Sequence, residues 1–196
     1  MEPALEPRDP EELEVKKNSS FLEIVKFAVI AIIIVAPIRM FIAKPFIVSG
    51  QSMDPTFQNG EYLIVDQLTY RFEDPSYGDV IIFKYPRDTS KYFIKRVIGQ
   101  PKDTIEIKNG TITIYNEKSP EGFALPDEYV KYKSFDNFSI ILKDHEYFVM
   151  GDNRPESSDS RFWGPLKDSL IVGRPFIRLF PFSKIDLFPG YEENSS

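Results

Sequence analysis

From residue 61 onward, the sequence alternates between short β-branched or aromatic runs and clusters of turn-forming residues. Runs of this kind, bounded by Gly, Pro, Asn, Asp or Ser, are typical of β-strands. They occur at 61–65, 79–83, 92–98, 104–107, 111–115, 139–142, 146–150 and 174–180. The pattern predicts a mainly β domain.

One hairpin is specified locally. Asn109 and Gly110 lie between the runs TIEIK and TITIY. Asn-Gly supplies the two positive φ angles of a two-residue hairpin turn, and the alternating Ile residues should cover one face of the hairpin. Residues 116–136 are polar and contain several Pro and Gly residues, so we expect a loop-rich insertion there.

From Phe21 to Val48 the chain is largely apolar, and residues 27–38 carry no charge. About 20 residues span a bilayer, and charges near the ends of a span can reach the headgroups. We expect one transmembrane helix over residues 21–43, bent or ended by Pro37. Lys16, Lys17 and Lys26 precede the span while Lys44 closely follows it, which favours a cytoplasmic N-terminus.

Two other interpretations of this segment compete with the membrane anchor. A cleaved signal peptide would need a small-x-small site after the apolar core, and residues 42–45 do not supply one. A buried soluble helix would carry polar residues at helical spacing, and residues 28–36 carry none. A membrane anchor is favoured over both.

Charge and composition exclude several classes of function. The chain has 24 basic and 30 acidic residues, for a net charge of -6, which argues against a nucleic-acid partner. It has no Cys and a single His, His145, in a polar stretch before a strand. A thiol nucleophile is therefore excluded, and neither a Ser-His-Asp triad nor a metal site is supported.

Lysine can replace histidine as a base when burial lowers its pKa towards neutrality. Strand alternation in YFIKRVI places Lys95 on one face with Phe93 and Val97. Ser52 lies in GQSMDPT, where Gly50 and Pro55 suit a rigid bend. Taken singly, Lys95 also fits a solvated surface lysine, and the GQSMDPT segment also fits an ordinary turn.

Four segments together resemble a known family. They are GQSMDPT at 50–56, YGDVIIFKYP at 77–86, YFIKRVIGQPKD at 92–103 and GDNRPESSDSR at 151–161. In this order they resemble the sequence boxes of bacterial type I signal peptidases, which use a Ser/Lys dyad. The likeness runs from about residue 37 to residue 180.

The resemblance implies an antiparallel, barrel-like catalytic β domain behind one transmembrane helix. We expect a cytoplasmic tail at 1–20, the helix at 21–43, the catalytic domain at 44–190 and a C-terminal tail at 191–196. A small insertion is expected at about 104–146. The domain would lie outside a bacterial inner or plasma membrane.

The resemblance also implies roles for individual residues. Ser52 matches the nucleophile and Lys95 the general base. Ser157 matches a serine that helps to orient the lysine, and Asp159 and Arg161 match an ion pair beneath the site.

The sequence departs from the family pattern at two positions. Gly50 stands where some members have a serine that helps to bind the oxyanion, so the oxyanion hole should depend mainly on backbone donors, including the Ser52 amide. Lys102 stands where many members have glycine, in the turn before Asp103.

By the same resemblance, the substrate is the signal peptide of an exported preprotein, with a small-x-small cleavage site. It would add as an extended strand between residues 45–52 and 92–95. Shallow apolar pockets for small side chains would be formed by Phe46, Val48, Leu63, Ile82 and Ile94. Met53 and Phe57 are further candidates for substrate contact. Membrane lipid is the other expected partner, and no cofactor is implied.

Two competing functions remain from other classes. One is an inactive, membrane-anchored binding protein with the same β domain. The other is a Ser/Lys self-cleaving repressor, which would need a helical DNA-binding module that residues 1–20 are too short and too acidic to form.

Overall fold

The computed structural model describes residues 10–37 and 43–191. The chain divides into two compact units, an N-terminal unit that holds helix α1 and a second unit that begins at Ile42. Helix α1 spans Pro10–Pro37, and in its described part large apolar side chains such as Phe27 and Ile33 are exposed. No helix within the described ranges combines the length and hydropathy that a membrane crossing requires.

The bounds of α1 differ from the predicted ones. The helix begins at Pro10, inside the predicted tail, because Pro at a helix start followed by Glu- and Lys-rich sequence favours helix. It ends at Pro37, and Ala43 already belongs to a strand, so the predicted helix extended too far towards the C-terminus. Residues 38–42 of the predicted span lie outside the described residues, as do residues 192–196 of the predicted C-terminal tail.

The second unit contains two antiparallel sheets, which confirms the mainly β, antiparallel fold class. Its strands are β1 (Ala43–Ile47), β2 (Tyr62–Asp66), β3 (Val80–Tyr85), β4 (Asp88–Gly99), β5 (Thr104–Lys108), β6 (Thr111–Asn116), β7 (Ser119–Phe123), β8 (Phe138–Ile141), β9 (Glu146–Met150), β10 (Leu166–Lys167), β11 (Ile171–Phe180) and β12 (Asp186–Leu187). A one-turn helix, α2, spans Ser160–Trp163.

The larger sheet has the order β1-β2-β11-β3-β4-β9-β10, with β12 paired to β11. Strand β1 and part of strand β4 each have one unpaired edge among the described residues. Strand β1 pairs only with β2, and β9 pairs with β4 only from Arg96 to Gly99. The N-terminal half of β4 therefore pairs with β3 alone.

The smaller sheet has the order β7-β6-β5-β8. The predicted turn is confirmed, because Asn109 and Gly110 have φ of 50° and 80° and Lys108 pairs with Thr111. Strand β7 lies inside the segment predicted to be loop. Its sequence SPEGF has no alternating apolar pattern, and pairing with β6 rather than propensity makes it a strand.

Three apolar clusters hold the second unit together. One joins both sheets through Ile98, Ile105, Ile114 and Phe148. Another lies within the larger sheet, around Phe83, Val97 and Val149. The third packs Val48, Met53, Phe57, Leu63 and Val80.

Met53 and Phe57 are 1% and 0% exposed, so the expectation that they touch substrate is wrong. Both side chains complete the core beneath the turn that carries Ser52, because they point away from the surface of that turn.

Candidate active site

Ser52 lies in a turn that is fixed at both ends. The Val48 amide donates to the Glu61 carbonyl, and the Gly60 amide donates back to the Val48 carbonyl. Gly50 has φ of 96°, a conformation that glycine adopts without steric cost. Its amide donates to Asn59 Oδ1 at 3.0 Å. The bend therefore holds Ser52 in one position at the surface of the domain.

Lys95 lies on β4 and is 3% exposed. Its Nζ is 2.6 Å from Ser52 Oγ and 2.8 Å from the Ile94 carbonyl oxygen. The Phe93 ring lies 5.4 Å from the same nitrogen. The two residues expected to form a dyad, 43 positions apart in the chain, are thus in direct hydrogen-bond contact.

Burial lowers the pKa of Lys95 from 10.5 to about 8. The carboxylates of Asp159 and Asp152 act in the opposite direction and favour the charged form, but the loss of hydration outweighs them. Close to neutral pH, Lys95 therefore has an appreciable neutral fraction that can accept a proton.

The loop after β9 closes over the back of the Ser52 turn. The Asn153 amide donates to the Ser52 carbonyl at 3.1 Å, and Asn153 Nδ2 donates to the Gln51 carbonyl at 3.1 Å. A Cβ on Gly151 would lie 2.3 Å from both the Ser52 carbonyl oxygen and Ser157 Oγ. Only glycine permits this approach of the two segments.

Ser157 is buried beside the dyad. Its Oγ accepts a hydrogen bond from the Gly151 amide at 3.1 Å. Among the described residues it makes no hydrogen bond to Lys95 Nζ, so the structure places this hydroxyl in the loop framework rather than on the lysine.

Asp159 and Arg161 form a two-point ion pair. Arg161 Nε lies 2.8 Å from Asp159 Oδ1, and Arg161 Nη2 lies 2.8 Å from Asp159 Oδ2. The Arg161 side chain is 5% exposed and the Asp159 side chain is 0% exposed. Arg161 also donates to Asp136 and Ser134 of the segment before β8, so the pair ties this segment to the catalytic loop.

A second buried ion pair was missed by sequence analysis. Arg96 follows Lys95 on β4. Its Nε donates to Asp152 Oδ1, and its Nη2 donates to Asp152 Oδ2. Thr56 Oγ1 donates to the same carboxylate at 2.6 Å. The available signal was a charged residue within the apolar end of one strand, and an acid two residues after the end of another apolar strand.

A groove of about 450 Å³ leads to the dyad. The five residues predicted to form apolar pockets all line it, namely Phe46, Val48, Leu63, Ile82 and Ile94. Rings of Phe46 on β1 and Tyr92 on β4 meet edge to face with centroids 5.2 Å apart. Lys91, Glu156 and Ser158 line the groove as well.

His145 lies away from the dyad. Its side chain is 80% exposed, and its Nδ1 is 2.6 Å from Asp168 Oδ2. Within the described ranges, no group of three or more His, Asp or Glu residues is arranged to hold a metal ion.

Comparison with known proteins gives consistent matches. The family described as signal peptidase, peptidase S26, matches residues 21–180. The probable signal peptidase I-1 of Synechocystis sp. is 35% identical over 83% of this chain and 84% of its own. Signal peptidase I P of Bacillus subtilis subsp. natto is 37% identical over 87% of this chain and 94% of its own. A solved signal peptidase I from Enterococcus faecalis V583 is 28% identical and covers 52% of this chain and 97% of its own, with a TM-score of 0.45.

Proposed function

The chain belongs to the signal peptidase family, peptidase S26, and on that premise we propose that it is a serine endopeptidase that removes N-terminal signal peptides from exported preproteins. The observation that carries the proposal is the 2.6 Å contact between Lys95 Nζ and Ser52 Oγ at the head of an apolar groove. A nucleophile in hydrogen-bond contact with a buried base is the arrangement that covalent catalysis requires.

Neutral Lys95 accepts the Ser52 hydroxyl proton as Ser52 Oγ attacks the scissile carbonyl carbon. The resulting Lys95 ammonium then protonates the leaving amine, and the C–N bond breaks to leave an acyl-enzyme on Ser52. In the second half, Lys95 takes a proton from water, whose oxygen attacks the ester. Collapse of that intermediate returns the proton to Ser52 Oγ and releases the signal peptide as a carboxylate.

The pKa of about 8 makes this proton transfer possible near neutral pH. About one Lys95 in ten is then unprotonated at pH 7, compared with fewer than about one in a thousand for a lysine of ordinary pKa. Ile94 supports the base by accepting a hydrogen bond from Nζ, which orients the nitrogen towards Ser52.

The developing oxyanion is stabilised by backbone donors. Gly50 offers no side-chain hydroxyl, and its amide is already committed to Asn59. The Ser52 amide makes no hydrogen bond to any described residue, so it is free to donate to the oxyanion. Asn153 fixes that peptide unit from behind, because its Nδ2 donates to the Gln51 carbonyl.

The substrate binds as an added strand in the groove. Strand β1 and the N-terminal half of β4 both present unpaired backbone groups, which can hydrogen-bond an extended peptide. Side chains on one face of that peptide would meet the apolar pockets formed by Phe46, Val48, Leu63, Ile82 and Ile94. Small residues such as Ala fit this shallow surface.

Positioning residues complete the proposed site. The Asp159–Arg161 pair and Ser157 hold the loop that braces the Ser52 turn, through the Gly151 amide. Asp159 also favours the charged form of Lys95, so it moderates the effect of burial on the base.

We also propose a single-pass anchor at the N-terminus, in a bacterial inner or plasma membrane, with the catalytic domain outside. Supporting it are the uncharged residues 27–38 and the excess of lysine before them. Resistance of the protein to alkaline extraction from membranes, and digestion of its β domain by protease added outside spheroplasts, would be the expected results. Release by alkali would contradict the anchor.

The function is tested with a preprotein carrying an Ala-x-Ala site in detergent or lipid. Wild type should cut after the final Ala, while Ser52→Ala and Lys95→Ala should each lose at least about a thousandfold in kcat/KM. Ser139→Ala and Lys108→Ala make the same chemical changes at exposed positions of the smaller sheet and should retain activity. An intact preprotein after incubation with folded wild type would instead favour the inactive binding protein.

A further inference from the structure

The groove carries charged side chains at both of its ends. Its lining includes two lysines and one glutamate, namely Lys91, Lys95 and Glu156. Among the described residues that line the groove, Glu156 is the one acidic side chain. Lys91 precedes Lys95 by four residues on β4, which places it about 13 Å along the strand from the dyad. Lys91 forms an ion pair with Asp88 at 3.1 Å, whereas Glu156 adds a negative charge to the lining.

Glu156 belongs to the dyad end. Its neighbour Ser157 packs against the Ser52 peptide unit, because one hypothetical Cβ on Gly151 would touch both Ser157 Oγ and the Ser52 carbonyl oxygen. Glu156 and Ser158, on either side of Ser157, both face the groove.

The backbone around Glu156 is firmly held while its carboxylate is free. Arg154 and Ser157 are 5% and 3% exposed, and Arg154 Nε donates to the Gly151 carbonyl. Pro155 fixes its own φ between them. Glu156 itself is exposed, and within the described ranges it makes no hydrogen bond or ion pair. A rigid segment thus presents an unpaired negative charge next to the nucleophile.

The direction of the bound peptide determines on which side of the scissile bond the Glu156 carboxylate lies. Residues before the cut occupy the apolar surface between β1 and β4, which ends at Lys95. Residues after the cut must continue past the dyad, where Glu156 and Ser158 lie. We propose that Glu156 is a specificity residue that favours substrates with a basic residue at the first or second position after the scissile bond. This inference rests on the proposed function.

The size of the effect follows from the exposure of Glu156. An ion pair at an exposed site changes an equilibrium by about two- to fivefold. Replacement of the substrate's basic residue by an acidic one exchanges attraction for repulsion and should change kcat/KM by about five- to twentyfold. High salt should reduce the preference, because both charges are in contact with solvent.

The test uses substrates that differ only at the first or the second residue after the cut, with Lys, Gln or Glu there. The readout is the Lys-to-Glu ratio of kcat/KM for wild type, Glu156→Gln and Glu156→Lys. We expect a ratio above about five for wild type, a ratio near one for Glu156→Gln and an inverted ratio for Glu156→Lys. In 1 M NaCl the wild-type ratio should approach one.

Glu121→Lys is the matched control, since it makes the same change of net charge at an exposed position on β7. It should keep the wild-type ratio. A wild-type ratio near one at both positions, or a ratio that survives Glu156→Gln and Glu156→Lys, would overturn the inference while leaving the peptidase activity in place. Failure of wild type to cut any of the substrates would overturn the proposed function itself, and with it this inference.

Discussion

Arg96 grips Asp152 through two parallel hydrogen bonds, Nε to Oδ1 at 2.9 Å and Nη2 to Oδ2 at 2.7 Å, with both side chains shielded from water. The remaining Arg96 nitrogen donates to the carbonyls of Gly78 and Gly190. The guanidinium of the residue that directly follows Lys95 therefore connects three separate segments of the chain, those of Gly78, Asp152 and Gly190.

Asp152→Asn should destabilise the protein by about 3 kcal/mol, because it removes the carboxylate charge that faces the buried Arg96 guanidinium. Urea unfolding at pH 7 measures the change. Lys133→Met, which breaks the exposed pair with Asp127, should change stability by less than about 0.5 kcal/mol. Equal effects of the two substitutions would contradict the importance of burial here.

The rate of cleavage should follow the ionisation of Lys95. Because only neutral Lys95 can accept the Ser52 proton, kcat/KM should rise about tenfold per pH unit below pH 8 and level off above it. A rate that continued to rise towards pH 10.5 would indicate a lysine of ordinary pKa. The profile must be measured with a substrate that has no group titrating between pH 7 and 10.

Lys95 should also make stability depend on pH. Its pKa is lower in the folded state than in the unfolded state, so the unfolded chain binds more protons between about pH 8 and 10.5 and stability rises across that window. Lys95→Met should be more stable than wild type by about 3 kcal/mol at pH 7. The difference in unfolding free energy between the two proteins should shrink as pH approaches 10.5. Urea unfolding at pH 7, 9 and 10.5 measures it. A difference that stays constant with pH would contradict a lowered pKa of Lys95.

Gly151→Ala should reduce both activity and stability. The added methyl group would displace Ser52 or Ser157, at a cost of about 1–3 kcal/mol in stability, and misplacement of the nucleophile should lower kcat about a hundredfold. Gly164→Ala provides the comparison, because Gly164 has φ of 88° but nothing within 4 Å of its hypothetical Cβ. It should lose about 1 kcal/mol of stability and keep its kcat.

Lys102→Gly should stabilise the protein by about 0.5 kcal/mol. Lys102 has φ of 74°, which strains any residue with a Cβ, and its pair with Asp144 is exposed at both ends. Lys102→Ala removes the same pair but keeps the strain, so it should not be stabilising. Thermal unfolding of the two variants separates the effect of the backbone from that of the side chain.

Local sequence predicted what local physics determines. Asn109 and Gly110 specify their turn unaided, and strand alternation correctly grouped Lys95 with apolar neighbours. The contact of Lys95 with Ser52 required the family resemblance, because alternation says nothing about a partner 43 residues away. Arg96 and Asp152 were missed for the same reason. Their burial depends on each other, and neither residue alone carries a signal that distinguishes it from a surface charge.

The open edges of β1 and β4 carry a hazard for the empty protein. Unpaired strand edges template the addition of any extended chain, including another copy's strand, and so invite aggregation. Pro45 in the middle of β1 lacks an amide hydrogen, and Lys44 and Lys91 place charges on the two edges. These residues disfavour pairing with a strand of another copy, and a peptide bound in the groove should further protect the protein from self-association at high concentration.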